Sequence, residues 1–259
     1  SKDGTLTSTS EGWTTVEKTA ELEAPEYEIG DYGTYYFYAK DEVGNMSKAE
    51  IKAGKLVAST KAGESITYHT SVQDAINNAG TSEATVTLLE SVKEGITIAE
   101  GQDITFNMNG NILTNENAKI ITNNGTLTIK DSLKTGKIYS KSSEVSVYNT
   151  STGILNIESG EIDIDTVTYS SVMNYGKTNI SGGIIKSTTE RSAVANYNTM
   201  NITGGRFEGR NGMNNVSGNT YIQGGSFKGI YSGIQIDGGT VCLGVKDAKA
   251  NTSVPISMG

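Results

Sequence analysis

The chain is poor in the residues that staple small proteins and in those that most often carry their chemistry. Its 259 residues include one cysteine, Cys242, and one histidine, His69. A lone cysteine forms no internal disulfide and no zinc site. No Ser-His-Asp or Cys-His set can be built away from His69. Many extracellular bacterial proteins avoid cysteine, so its scarcity does not exclude secretion. Proline occurs twice, and apolar residues make up only 35%, against roughly 45–50% in ordinary globular chains with glycine counted. Such a chain cannot easily pack a thick core. It can pack a thin linear one, to which each strand gives two or three inward side chains. Positive charge is also short: 21 Lys and Arg against 29 Asp and Glu leave a net −8. That argues against a nucleic-acid partner, which needs a basic patch, and against adhesion to anionic lipid. It is compatible with a soluble surface or with calcium held by carboxylates. No apolar run reaches the roughly 18 residues of a membrane span, so no membrane insertion is expected. No signal-peptide pattern opens the chain, and Ser1 reads as the start of a processed or trimmed fragment.

Glycine, by contrast, is abundant at 31 residues, and it recurs in a pattern. "NISGGIIKS" begins at Asn179, "NITGGRFEG" at Asn201 and "YIQGGSFKG" at Tyr221. A repeat this short cannot bury its own apolar side chains and must lean on its copies. One apolar column runs through Ile129, Ile157, Ile180, Ile202, Ile222 and Ile236. Five positions later in most copies come Ile162, Ile185, Phe207, Phe227 and Val241, with Ile138 in the earliest copy. A third column precedes: Ile121, Val147, Val172, Val194 and Met213. Three apolar stations per copy predict three short strands per turn. Between the second and third stations stand the pairs that begin at Gly182, Gly204, Gly224 and Gly238. They read as structural corners, where positive φ and close approach of successive turns need glycine; a ligand-cradling loop is the competing reading. Two residues beyond the first station lies an asparagine column: Asn123, Asn149, Asn174, Asn196 and Asn215. On a strand that spacing keeps them on the inward face, where stacked amides can form a ladder. An outward binding row is the alternative.

The first 55 residues differ. Acids cluster in "VEKTAELEAPEYEIGD" (Val16–Asp31). Then Tyr35, Phe37 and Ala39 alternate with Tyr36, Tyr38 and Lys40, "DEVGN" (Asp41–Asn45) supplies a turn, and Ser47–Lys52 returns as a second strand. Next, "YHTSVQDAINNAG" (Tyr68–Gly80) places Val72, Ala75, Ile76 and Ala79 on one helical face, with Thr70 or Ser71 as N-cap, Asp74 in the first turn and Gly80 as the stop. This helix, at about 70–80, is expected to cover the open first end of the repeat stack.

The "GTYYFYAKDEVGN" phrase (Gly33–Asn45) resembles the closing strands of bacterial immunoglobulin-like modules. From about Val57 to Gly259 the helix, the "ITFNMNGN" turn, the asparagine column and the Gly-Gly corners resemble the right-handed parallel β-helix of pectate lyases and of many bacterial surface proteins. Closest in phrasing are "VTLLESVKEGITIAEGQDITFNMNGNILTN" (Val86–Asn115) and "AVANYNTMNITGGRFEG" (Ala193–Gly209). These are similar to repeats of adhesin-like surface proteins of Gram-positive gut bacteria. The expected fold is therefore all-β: residues 1–55 a partial immunoglobulin-like or small β segment, and 56–259 a right-handed single-stranded parallel β-helix. "VPISMG" (Val254–Gly259) reads as an unfinished turn.

The resemblance implies a secreted or wall-attached, extracellular protein. It also implies two functions of different kinds. One is a non-catalytic, monomeric scaffold that engages a glycan or a host surface. The other is a polysaccharide lyase or glycoside hydrolase on an acidic polysaccharide, which would need clustered carboxylates, often with calcium, and a basic residue. "EIDID" puts Glu161, Asp163 and Asp165 on one side of a strand, with Ile162 and Ile164 opposite. The three could hold calcium; a solvated face is the competing reading. Arg191, Arg206 and Arg210 each have Glu190 or Glu208 nearby, which points to surface ion pairs. No catalytic residue is assigned, and no cofactor beyond calcium is expected. Tyr175 and Tyr197 follow the asparagine in successive copies and should point outward, as an aromatic strip for a sugar or peptide or as simple strand stacking.

Overall fold

A computed structural model describes residues 33–116, 118–141, 144–165, 168–188 and 190–244. The acidic stretch before Gly33 and the C-terminal "VPISMG" lie outside the described residues. The chain divides into two compact units, Ser1–Lys55 and Leu56–Gly259. In the first, β1 (Gly33–Lys40) pairs antiparallel with β2 (Met46–Ala53). Asp41 closes their turn: its carboxylate accepts from the backbone N–H groups of Val43 and Asn45 and from the Asn45 side chain at 2.7 Å. Gly44 takes a left-handed φ of 89°.

The second unit opens with an antiparallel pair, β3 (Ala58–Ala62) and β4 (Ser65–His69), then α1 (Val72–Ala79), β5 (Ala84–Leu88) and β6 (Val92–Lys93). The turns follow. The first is β7 (Ile96–Ile98), β8 (Asp103–Asn107) and β9 (Ile112–Asn115). The second is β10 (Ile121–Asn123), β11 (Thr126–Lys130) and β12 (Lys137–Ser140). The third is β13 (Val147–Asn149), β14 (Ile154–Ile157) and β15 (Glu161–Ile164). The fourth is β16 (Val172–Asn174), β17 (Lys177–Ile180) and β18 (Ile184–Ser187). β19 (Val194–Asn196) and β20 (Thr199–Ile202) start the fifth. Thereafter β21 (Arg206–Asn215), β22 (Asn219–Ile222), β23 (Ser226–Ile236) and β24 (Thr240–Leu243) complete the stack. Each strand pairs in parallel with its counterpart one turn away, which makes a parallel β-solenoid of about seven turns. Three faces result. The first runs from β7 through β10, β13, β16 and β19; the second from β8 to β24; the third from β6 through β9, β12, β15 and β18. β21 and β23 span the third and first faces in one long strand.

Strands such as β11 and β14 alternate fully buried with more open residues, as a sheet with one dry side requires, whereas β16 and β19 are buried throughout. The inward columns are fully buried: Ile129, Ile157, Ile180, Ile202 and Ile222 on the second face, and Ile138, Ile162, Ile185, Phe207 and Phe227 on the third. Each such side chain contributes roughly 1.5–3 kcal/mol. Two expected members lie elsewhere. Ile236 does not follow Ile222; Leu243 does, and Ile236 pairs instead with Asn215 on the first face. Val241 pairs with Thr220 on the second face rather than continuing the Phe227 column. The cause is β23: it crosses the corner without a loop, so the last spacing is compressed and alignment by apolar residues slips.

The Gly-Gly pairs divide their work. At Gly183, Gly205 and Gly225 the backbone turns through φ of 83°, 98° and 107°. At Gly182, Gly204 and Gly224 the need is space: a Cβ there would stand 2.2, 2.3 and 2.4 Å from a carbonyl oxygen of the preceding turn. Gly238 belongs to another corner. Thr240 registers with Asn219, so Gly238–Gly239 follows the first face, beside Ser217–Gly218, and not the second.

Helix α1 buries Val72, Ala75, Ile76 and Ala79 in the same cluster as the solenoid columns. Ser71 caps it by accepting from Asp74 N–H at 3.0 Å, and Gly80 ends it. The first turn of the solenoid supplies further ties. Glu94 accepts from the N–H groups of Val72 and Gln73, two of the donors a helix start leaves open. Gln73 answers both backbone groups of Thr97, on the outermost strand of the first face (2.7 and 3.0 Å). A side-chain amide thus substitutes there for a neighbouring strand.

Candidate functional site

The asparagine column forms an unbroken buried ladder on the inner side of the first face. Asn123 donates to Asn149, Asn149 to Asn174, Asn174 to Asn196 and Asn196 to Asn215, at 2.7 to 2.9 Å. All five side chains are fully buried. Spare donor capacity goes to corner carbonyls, such as Thr199 from Asn174 and Gly238 from Asn215. Buried Thr220 closes the far end by donating to Asn215. At the near end Asn123 Oδ1 has no hydrogen-bond partner among the described residues, because the preceding turn offers Ile98 at that register.

A second amide row escaped the sequence reading. On the outer side of the second face Asn201 donates to Asn179, Asn179 to Asn156, and Asn156 to Thr128, at 2.8 to 3.1 Å. The signal was in the repeat itself, since each "NI" pair places an asparagine beside a buried isoleucine.

The carboxylate row of β15 is engaged by lysines. Lys137 lies 3.0 Å from Glu161 and 2.8 Å from Asp163, and Lys186 lies 2.9 Å from Glu161. Asp163 is only 5% exposed. Burial alone would lower the Lys137 pKa, but its bonds to Asp163 and Glu161 outweigh that and raise it. Burial alone would raise the Glu161 pKa, but Lys186 and Lys137 outweigh it and lower it. Asp165 is exposed and accepts from Thr188 at 2.9 Å. Among the described residues no group of three or more His, Cys, Asp or Glu is placed to hold a metal ion. Lys137 thus engages two of the three carboxylates that the sequence offers for calcium, Glu161 and Asp163. The neighbour of Asp163 in the next turn is Lys186, and the row continues as Glu208 and Lys228, alternating in sign. Arg206 pairs with Glu208, and Arg210 lies 3.9 Å from Glu190 and 4.4 Å above the Tyr231 ring. His69 belongs to the α1 region, where burial lowers its pKa. Thr60 gives its proton to Ala75 C=O at 2.5 Å, so it accepts from His69 Nε2–H at 3.2 Å.

Tyr175 and Tyr197 stand together outside the first face. Their rings are 4.4 Å apart and within 7° of parallel, so each covers a flat side of the other. Tyr148 leans on Tyr175 at 5.4 Å and 46°. With Tyr169 and Val216 they pack over buried Val145, Met173 and Ala195 as a small second core. Desolvation and the Tyr197 hydroxyl push the Tyr175 pKa up to about 12. One face of each of these two rings is therefore spent on the other.

The same face carries a cleft of about 480 Å³ one turn earlier, lined by Gly95, Ile96, Thr97, Asn115, Lys119, Thr122 and Glu144 among others. None of these carries a sequence motif. The signal was in the corner lengths between third and first faces: residues 94–95 in front of β7, then 116–120 before β10 and 141–146 before β13. The longer stretches bring Lys119 and Glu144 beside the recess. Among the described residues no helix is long and apolar enough to cross a membrane. No protein-family model, no curated protein and no solved structure matches this chain.

Proposed function

We propose that the chain is a non-catalytic, rigid scaffold from an extracellular, adhesin-like surface protein, which engages glycan along the outer side of the first face. One observation carries this reading. Over the same three turns, the first face is held from within by the Asn149–Asn174–Asn196 ladder and bears Tyr148, Tyr175 and Tyr197 outside. A surface fixed from both sides binds without first losing conformational entropy, which is the economy a recognition surface needs. In this reading α1 is the cap of a right-handed β-helix, the hand expected of parallel crossovers, and the β1–β2 hairpin closes an immunoglobulin-like module.

The enzyme reading asks for a carboxylate pair and a base free to act on one sugar. Glu161 and Asp163 are neutralised by Lys137 and Lys186 instead. A glycan array with the wild-type chain and with Tyr148→Ala and Tyr197→Ala tests the proposal: binding should occur and should weaken in both variants. Turnover of pectin or a similar acidic polymer, abolished by Asp163→Asn, would replace it with the lyase reading.

A further inference from the structure

The cleft over the first turn has a floor and two walls. Its floor is Thr97 and Thr122, outward residues of β7 and β10 that are register partners. One wall is Ala118 and Lys119, tied down by Asn115 Nδ2 donating to Lys119 C=O at 3.1 Å. At Gly95 a Cβ would stand 2.5 Å from Asn115 Nδ2 and 3.0 Å from the Lys119 carbonyl, so glycine there lets this wall pack closely on the first turn. The other wall brings Glu144, 3.7 Å from the Lys119 ammonium. The next outward residue along the row is Tyr148, the register partner of Thr122, and Lys119 lies 5.1 Å from its ring centre. From below, Gln73 clamps the backbone of Thr97, so the floor is fixed to α1.

The chemistry is that of a neutral, polyhydroxylated ligand. Two hydroxyls can donate or accept, a loose cation–anion pair offers donors on one side and acceptors on the other, and the charges cancel. An acidic sugar gains from Lys119 but meets Glu144; a cation meets the reverse. The volume falls within the roughly 300–1,000 Å³ of small-molecule sites. We infer that this cleft is a saccharide subsite for an uncharged oligosaccharide, with Thr97, Thr122, Lys119 and Glu144 binding its hydroxyls. The inference rests on the reading of the first face as a glycan surface and moves its centre from Tyr175 and Tyr197 to the first two turns.

The test is titration calorimetry of the whole chain with neutral gluco-, xylo- and manno-oligosaccharides, and with oligogalacturonate as the acidic probe. Thr122→Arg fills the cleft from an outward position and leaves the buried Ile121 and Asn123 in place. Thr122→Val keeps the volume and removes the hydroxyl. The expected result is saturable binding of a neutral oligosaccharide, weakened roughly tenfold or more by Thr122→Arg and several-fold by Thr122→Val, while Tyr197→Ala changes it less. Unchanged melting temperatures show that the variants fold. Binding that ignores both Thr122 variants but fails with Tyr197→Ala overturns the cleft and leaves the glycan surface standing. Binding of oligogalacturonate alone overturns the neutral-ligand assignment in the same way. No saccharide bound by the wild-type chain overturns both readings.

Discussion

Two amide ladders run through the solenoid, and they are built on opposite economies. The inner one, Asn123 to Asn215, is fully buried and donates forward along the chain. The outer one, Asn201 to Asn156, is half-buried and donates backward. Water can replace a lost partner outside but not inside, so the same residue type carries different weight in the two rows. Removing one partner from a dry network leaves others unsatisfied, at roughly 1–3 kcal/mol each, whereas an exposed bond is worth less than about 1 kcal/mol. The ion pairs of the third face, also on the outer side, lie between these limits.

The comparison can be broken most directly at Asn174. Asn174→Ala strips Asn149 of an acceptor, Asn196 of a donor and Gly176 N–H of its cap. A loss of about 2–4 kcal/mol is expected from the orphaned groups and the cavity, read as a fall in the urea midpoint at unchanged slope. A loss below about 1 kcal/mol would show that water enters the ladder. Lys137→Ala comes next. It leaves Asp163 with an uncompensated charge, which costs roughly 3–5 kcal/mol in a fully buried pair. Since a quarter of the lysine side chain meets solvent, about 1–2 kcal/mol is expected, and the effect should shrink in molar salt.

Acid should act on the outside and on the α1 region, not on the inner ladder. The His69 pKa lies below its ordinary 6.5 because the ring is desolvated, so the unfolded chain binds the proton more readily. Stability from His69 is complete above pH 6.5 and falls as pH drops through 6.5 toward the folded value. Glu161 behaves alike lower down: its contribution is present above its ordinary 4.5 and is lost as pH falls below that. A urea midpoint that declines in two steps below pH 6.5, the first absent in His69→Gln, is the expected record. The smallest effect belongs to Asn179→Ala in the outer ladder, about 0.5 kcal/mol. Parity with Asn174→Ala would erase the distinction between the rows.

The inner asparagines were legible because a period of two on a strand fixes which side chains share a face. Tyr175 and Tyr197 were legible as neighbours for the same reason. Their ring orientation was not, because it depends on Val145, Met173 and Ala195 beneath them. Gly238 and Ile236 were misplaced because glycine and isoleucine occur at more than one corner or station. Only backbone pairing distinguishes these positions. Which lysines meet Glu161 and Asp163 was not legible, because Lys137 and Lys186 are 24 and 25 residues from Glu161 in sequence, one turn before and one after in space.

What the sequence determined by itself was the stack: apolar residues at three stations, glycine where turns approach and asparagine once per turn. These choices are local and repeat, so their period survives without coordinates. What only the tertiary structure decided was everything that depends on the offset between turns: which lysine meets which carboxylate, which ring covers which, and where unequal corners leave a cleft. Corner lengths are written in the chain, but their effect is a difference between neighbours about 4.8 Å apart, and that difference exists only once the turns are in register.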